Sequence, residues 1–258
     1  MSSSNNSTVY FVTGTTSGIG LEYVNKLILN PSNFVIATVR DLSKISNDLQ
    51  KLSQSNPKNL KIIELELESQ SSIDQLDEKL QTIVPNGVID VFIQNAGIYG
   101  NQSSTLTHTD RSSWLQLYQV NSLAPVLIFQ KVYPYLQKSE VKKTIFISSL
   151  SGSIGSYFPA PVASYGQSKA ALNYSIKALS EELRSEGFKI IAIHPGVVIT
   201  KTLEKNYKTF APGVFQDFID ANKITTDVSV GKQLEIVDNL TDDQSGKFWN
   251  YDGTEVQW

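Results

Sequence analysis

The chain has 258 residues, no cysteine, two histidines, 22 basic against 25 acidic side chains, and a formal net charge of −3. A chain of this length can bury a full core unaided, and the lack of cysteine excludes disulfide scaffolds, cysteine nucleophiles and zinc–thiolate centres. The near-balanced charge, with no basic run longer than Lys142–Lys143, argues against nucleic acid or a membrane surface as partner.

Met1 to Ser7 are polar, with no apolar leader segment, and are expected to be flexible. No later stretch reaches the roughly 18 uninterrupted apolar residues of a membrane span, so the expectation is a soluble, cytoplasmic protein. His108 and His194 stand far apart in the sequence, which leaves no histidine cluster for a metal.

Val9–Val12 is a short apolar, β-branched and aromatic run of the kind buried on both faces of a sheet. Similar runs follow at Phe34–Val39, Leu60–Leu65, Val88–Ile93, Thr144–Ile147 and Lys189–Ile193, with a weaker one at Lys247–Trp249. Between them, apolar residues three and four apart predict helices over Gly18–Leu29, Leu42–Gln54, Ser71–Ile83, Ser112–Leu136, Ala163–Ser185 and Asp227–Asn239. Strands alternating with helices imply right-handed crossovers, hence an α/β fold with a doubly wound parallel sheet and helices on both faces. No composition break divides the chain, so residues 1–258 are expected to form one domain. Val198 to Thr226 reads as an extended irregular stretch carrying Tyr207, Phe210, Phe215 and Phe218, suited to a lid over a substrate.

In such sheets chemistry sits at the carboxyl ends of the strands. After the first strand comes Thr13-Gly14-Thr15-Thr16-Ser17-Gly18-Ile19-Gly20, whose glycines permit a tight turn and close approach of a phosphate to backbone N–H groups at a helix N-terminus. Arg40 ends the second strand, 20 residues past Gly20, where dinucleotide folds recognise the adenosine ribose. An acid there would bind the ribose hydroxyls of NAD, whereas an arginine fork pairs with a 2′-phosphate and favours NADP. The alternative for Arg40 is a solvated surface arginine, and Asp41 beside it reads as a helix N-cap.

Gln94-Asn95-Ala96-Gly97 follows the fourth strand, where small residues let a cofactor lie against the backbone and Asn95 can tie neighbouring strands. Ser148-Ser149 ends the fifth strand, and Tyr165 and Lys169 stand four apart on a predicted helix, so they share a face. An ammonium near a phenol favours the ionised phenol and brings it toward acid–base work.

Together these pieces resemble the short-chain dehydrogenase/reductase family: TGTTSGIG at 13–20, NAG at 95–97, Asn121 in VNSLAP, ISS at 147–149, YGQSK at 165–169 and HPG at 194–196, in family order across nearly the whole chain. The resemblance implies a single Rossmann-type domain and a tetrad of Ser149, Tyr165, Lys169 and Asn121. In it Tyr165 protonates a carbonyl oxygen as hydride arrives, and Ser149 holds that oxygen. Lys169 binds the nicotinamide ribose and lowers the tyrosine's pKa, while Asn121 holds a relay water. The resemblance also assigns NADP(H) contacts to Gly14, Thr16, Ser17, Ile19, Gly20, Arg40, Glu66, Leu67, Asn95, Ala96, Gly97, Tyr165, Lys169, Pro195, Val198 and Thr200. Among these, Ile19 matches a phosphate contact, Glu66 the place of the family's usual Asp near the adenine, and Pro195, Val198 and Thr200 the carboxamide segment.

Three departures stand out. Tyr165 lies 16 residues beyond Ser149, which makes the intervening loop longer than usual and leaves Ser151 as a competitor for the serine role. Ser17 stands where many NADP-dependent members carry a basic residue, and neutral Val39 stands where the ribose-binding acid would fall. ATVRD at 37–41, the long loop and the ending SGKFWNYDGTEVQW are similar to fungal ketoreductases of the norsolorinic acid ketoreductase type and carbonyl reductases of the C-factor type.

The function expected is NADPH-dependent reduction of a ketone or aldehyde, with a non-catalytic NADP(H) sensor on the same fold as the alternative. Tyr99, Tyr157, Phe158, Tyr207, Phe210 and Phe215 fall in loops on the carboxyl side of the sheet, which suggests a hydrophobic or aromatic substrate. The family resemblance adds the expectation of a homo-oligomer, dimer or tetramer.

Overall fold

The computed structural model describes residues 7–100, 105–158, 162–201, 203–204 and 213–258, without the side chains of residues 214 and 215. β1 (Val9–Val12) is central because all four residues are buried and both edges are paired in parallel, with β2 (Phe34–Val39) on one side and β4 (Val91–Gln94) on the other. From β2 the sheet continues to β3 (Leu60–Glu64); from β4 it runs through β5 (Lys143–Ile147), β6 (Lys189–His194) and β9 (Phe248–Asn250), all parallel. The chain leaves β1 toward β3 and then returns to the other side of β1, which opens a crevice above the carboxyl ends of β1 and β4.

This is the doubly wound sheet expected from the sequence, with one addition. A two-residue strand, β10 (Glu255–Val256), pairs antiparallel with β9 and closes that edge. It is too short to leave a periodic signal.

Alternate residues of each central strand supply the two faces. Phe11, Ile36, Phe92 and Phe146 pack on one side with residues of α4 (Leu76–Ile83), α6 (Ala124–Leu136) and α7 (Ala163–Glu182). Val12, Val35, Ile93 and Ile145 pack on the other with Tyr23, Val24 and Leu27 of α1 (Gly18–Leu27) and Val230 and Val237 of α9 (Thr226–Asp238).

Several helices differ from the expected spans, in one case because polar side chains capture backbone N–H groups. The stretch from Leu42 splits into a 3₁₀ turn at Leu42–Lys44, capped by Asp41, and α2 (Asn47–Ser55), capped by Ser46. The next helix is likewise two pieces, α3 (Gln70–Asp74) and α4. The long helix expected from Ser112 is α5 (Arg111–Tyr118), a π turn at Gln119–Leu123, and α6.

Val198 to Thr226 is not irregular throughout. Its described part holds α8 (Val214–Asn222) and a small parallel sheet of β7 (Val197–Val198) and β8 (Lys223–Ile224). Among the described residues no helix is long and apolar enough to cross a membrane.

Candidate active site

The turn after β1 is built for close approach. Gly14 has φ of +71°, and a Cβ there would lie 2.8 Å from the Cα of Ala96. A Cβ on Gly20 would sit 2.1 Å from the carbonyl oxygen of Gly14, so α1 can start against the turn only because residue 20 is glycine. Asn95 stitches β4 to β1 as expected, its Nδ2 donating to the carbonyl oxygens of Thr13 at 2.9 Å and Gly14 at 3.1 Å. Thr13 answers from the other strand: its hydroxyl accepts from the N–H groups of Asn95 and Ala96, both at 3.0 Å. Ser17 stands at the N-cap of α1 without a side-chain capping bond, which leaves the first N–H groups of the helix open to an anion.

Arg40 emerges at the end of β2 with its side chain 72% exposed and its Nε 3.6 Å from a carboxylate oxygen of Glu66. Asp41 is spent on capping, its Oδ1 accepting from the N–H of Ser43 at 2.9 Å.

At the other end of the crevice, β5 delivers Ser149 and α7 delivers Tyr165 and Lys169. Of the two candidate serines, Ser149 and not Ser151 is the one whose hydroxyl acts on the Tyr165 phenol. Ser151 instead donates its backbone N–H to Ser149 Oγ at 3.2 Å, which orients that hydroxyl. Burial pushes the Tyr165 phenol up to about 12, against the smaller downward pull of the Ser149 hydroxyl. Burial pushes Lys169 down to about 8, and its ammonium donates to the carbonyl oxygen of Ile147 at 2.8 Å. The family resemblance implies that Lys169 lowers the tyrosine; in this structure desolvation governs both groups and drives each toward its neutral form.

Asn121 is fully buried in the π turn between α5 and α6. Its Oδ1 accepts from the N–H of Ile98 at 2.9 Å, and its Nδ2 donates to the Ile98 carbonyl oxygen at 2.8 Å and Ser168 Oγ at 3.1 Å. It stands one layer behind the crevice wall. A Cβ on Gly97 would lie 3.0 Å from Asn121 Oδ1 and 3.6 Å from Lys169 Nζ, so a glycine keeps the ground between them clear.

Ser149 and every residue assigned above to NADP(H) contact line a single crevice of about 600 Å³. Asn121 alone of the expected set does not. Of the aromatic residues expected on the substrate side, Tyr99 and Phe158 line the crevice. Tyr157 is a correction: it is 75% exposed and off that wall, its ring turned to solvent while its neighbour Phe158 takes the place on the crevice. Tyr207 and Phe210 lie outside the described residues, as does the side chain of Phe215.

The wall also includes Phe218, from the stretch expected to form a lid, together with Ile219 and His194, which carried no expected site role. Phe218 and Ile219 of α8 line the crevice, and Phe218 meets Phe158 with ring centroids 4.8 Å apart. Phe215, Phe218, Ile219 and Asn222 follow helical spacing, a signal masked by the turn residues before them. His194, seen only as part of HPG, also lines the crevice; its Nδ1 is enclosed without a partner, and burial holds the ring down at about 4.

The arrangement matches a known group of proteins. The family model described as short chain dehydrogenase matches residues 8–210. The chain belongs to the short-chain dehydrogenase/reductase family. It is therefore an oxidoreductase acting between C=O and CH–OH. An uncharacterized oxidoreductase of Schizosaccharomyces pombe is 36% identical over 252 residues, covering 97% of this chain and 98% of the relative. The short-chain dehydrogenase srdF of Neurospora crassa is 33% identical over 258 residues, with 98% of each chain covered. Among solved structures of short-chain dehydrogenase/reductases, the NADPH-bound carbonyl reductase from chicken fatty liver superposes with a TM-score of 0.85 at 30% identity, covering 97% of this chain and 94% of its own.

Proposed function

We propose that the protein is an NADPH-dependent carbonyl reductase that converts a hydrophobic or aromatic ketone or aldehyde to the alcohol, reversibly, in the cytoplasm. The observation that carries this reading is one crevice with Ser149, Tyr165 and Lys169 at one end and Arg40 at the other.

The residues fit a dinucleotide. Gly14 and Gly20 leave a cradle that a Cβ would fill, and α1 begins without a side-chain cap. Thr16, Ser17 and Ile19 would hold the phosphates, and Arg40 a 2′-phosphate. Glu66 and Leu67 would flank the adenine, and Asn95, Ala96 and Gly97 would support the middle. Pro195, Val198 and Thr200 would hold the carboxamide. When bound, this cofactor supplies the hydride.

The chain's own residues supply the rest. A phenol at about 12 is protonated at neutral pH, which is the form that gives a proton to a carbonyl oxygen as its carbon takes hydride. Ser149 donates a hydrogen bond to that oxygen. Lys169, still mostly an ammonium at pH 7, stabilises the phenolate left behind and meets the ribose hydroxyls. Asn121, behind Gly97, would support a proton relay to Lys169. Tyr99, Phe158, Phe218 and Ile219 support the apolar substrate class. Exposed Leu115 and Tyr118 on α5 and Tyr174 on α7 support self-association, as a dimer or tetramer.

The test is the loss of NADPH or NADH absorbance with purified protein and a panel of aliphatic, aryl and 1,2-dicarbonyl compounds. The expected result is faster turnover with NADPH, reduced at least about 100-fold in Tyr165→Phe. Tight NADPH binding with no turnover on any carbonyl would favour the sensor and overturn the reading.

A further inference from the structure

Two features of the sequence have no part in the chemistry above: the long loop between Ser149 and Tyr165, and the segment that follows Asn250. The structure joins them. The N–H of Gly155 donates to the carbonyl oxygen of Trp258 at 2.8 Å. The hydroxyl of Ser153, only 2% exposed, donates to the carbonyl oxygen of Gln257 at 2.5 Å and accepts from the N–H of Ser156 at 2.8 Å. A Cβ on Gly155 would stand 2.9 Å from the Cβ of Gln257, so the two backbones lie in direct contact.

The segment is itself anchored. β10 pairs with β9, Val256 opposite Phe248, and the Trp258 ring stacks on the fully buried Phe248 at 5.4 Å. The opposite side of the loop is fixed to α7. The Gly152 carbonyl accepts from Asn173 Nδ2 at 3.2 Å, and a Cβ on Gly152 would lie 2.7 Å from Lys169 backbone carbon. The loop is thus gripped at residues 152–156, between Ser149 and Phe158, which reaches the crevice and meets Phe218 of α8.

We propose that residues 255–258 act as a strap that fixes the loop following Ser149 and so positions Phe158 on the substrate side of the crevice. Gripping a loop two residues before a wall side chain leaves that side chain little freedom, so the strap selects which carbonyl compounds fit. The strap is a positioning element, and its link to selectivity rests on the carbonyl-reductase reading.

Ser153→Ala and Trp258→Ala in the full chain test it by two readouts. The first is peptide-resolved hydrogen exchange without ligand. Losing one or two hydrogen bonds is expected to speed exchange over 153–158 about 3- to 30-fold, with peptides from β1 and α1 unchanged. The second is a KM for a bulky aryl ketone raised about 5-fold or more, while kcat for a small aliphatic aldehyde stays within about twofold. Unchanged exchange over 153–158, or equal loss of protection everywhere, overturns the strap. Local loosening with unchanged selectivity overturns its role toward substrate. If the wild-type protein reduces no carbonyl, the functional reading fails, and the exchange experiment still decides the strap.

Discussion

Lys169 is buried at the end of the crevice that holds Ser149 and Tyr165, and its ammonium donates to the carbonyl oxygen of Ile147 at 2.8 Å. One hydrogen bond does not replace the hydration of an ammonium, which is why burial lowers the group from 10.5 to about 8. A folded-state pKa below the unfolded one means that the charged form costs the native state stability at neutral pH. The cost shrinks as pH rises from about 8 to 10.5, where the native lysine is neutral and the unfolded one is still charged. Lys169→Met is therefore expected to raise stability at pH 7 by about 1–3 kcal/mol and to reduce carbonyl turnover at least about 100-fold. Thermal melts at pH 7 and pH 9.5 check it: the gap between variant and wild type narrows at the higher pH.

The same group is expected to set the alkaline limb of carbonyl reduction. Tyr165, at about 12, stays protonated across the working range, so a decline in reduction between pH 8 and 10 belongs to Lys169. The expected profile of kcat/KM for reduction is flat below pH 8 and falls above it. Lys169→Arg, which stays charged, is expected to be slower at pH 7 but without that fall. A wild-type profile level to pH 10 would remove Lys169 from the mechanism.

Arg40 is mostly exposed and has only a 3.6 Å contact with Glu66, so little holds it away from an incoming phosphate. Hydrogen bonds to a charged group contribute about 1.5–3 kcal/mol, so Arg40→Ala is expected to lower kcat/KM for NADPH about 10- to 100-fold and leave NADH within about threefold. Equal losses for both cofactors would place Arg40 in folding rather than recognition.

Asn95 closes the gap between β1 and β4 at the point where the crevice opens. Asn95→Ala strands the carbonyl oxygens of Thr13 and Gly14 in a part-buried place, with an expected loss of about 1–3 kcal/mol in denaturant unfolding. Weaker binding of NADPH is expected beside it, because the Gly14 turn loses its brace. Unchanged unfolding midpoints would show that the side chain is dispensable.

The sheet was legible because its central strands are continuous apolar runs, such as Val9–Val12 and Lys189–His194, and its crossovers show clear helical spacing. The glycine turn, Asn95 and Ser149 were legible from their places just after strands, and Tyr165 and Lys169 from their four-residue spacing on one helix. Hidden features depend on pairing far along the chain. β10 is two residues whose register is set by β9, and the loop that it holds gives no local sign of its partner. Asn121 was found through the family motif. Its place behind Gly97 follows from a π turn that no periodicity predicts. The orphaned Nδ1 of His194 exists only once β6 and its neighbours are packed.

Gly97 offers the sharpest test of the ground between Asn121 and Lys169. Its φ lies outside the left-handed region, so alanine meets no backbone strain there, and the effect of Gly97→Ala comes from the added methyl alone. That methyl would lie 3.0 Å from Asn121 Oδ1 and 3.6 Å from Lys169 Nζ, crowding the carbonyl and excluding solvent from the ammonium. Further desolvation lowers the lysine's pKa again, so the alkaline fall in reduction should begin at lower pH than in wild type. An expected drop in kcat of about 10- to 100-fold, with a melting temperature changed by only a few degrees, would locate proton supply at this point. A variant with wild-type kcat and an unshifted profile would mean that Asn121 only braces the backbone of Ile98.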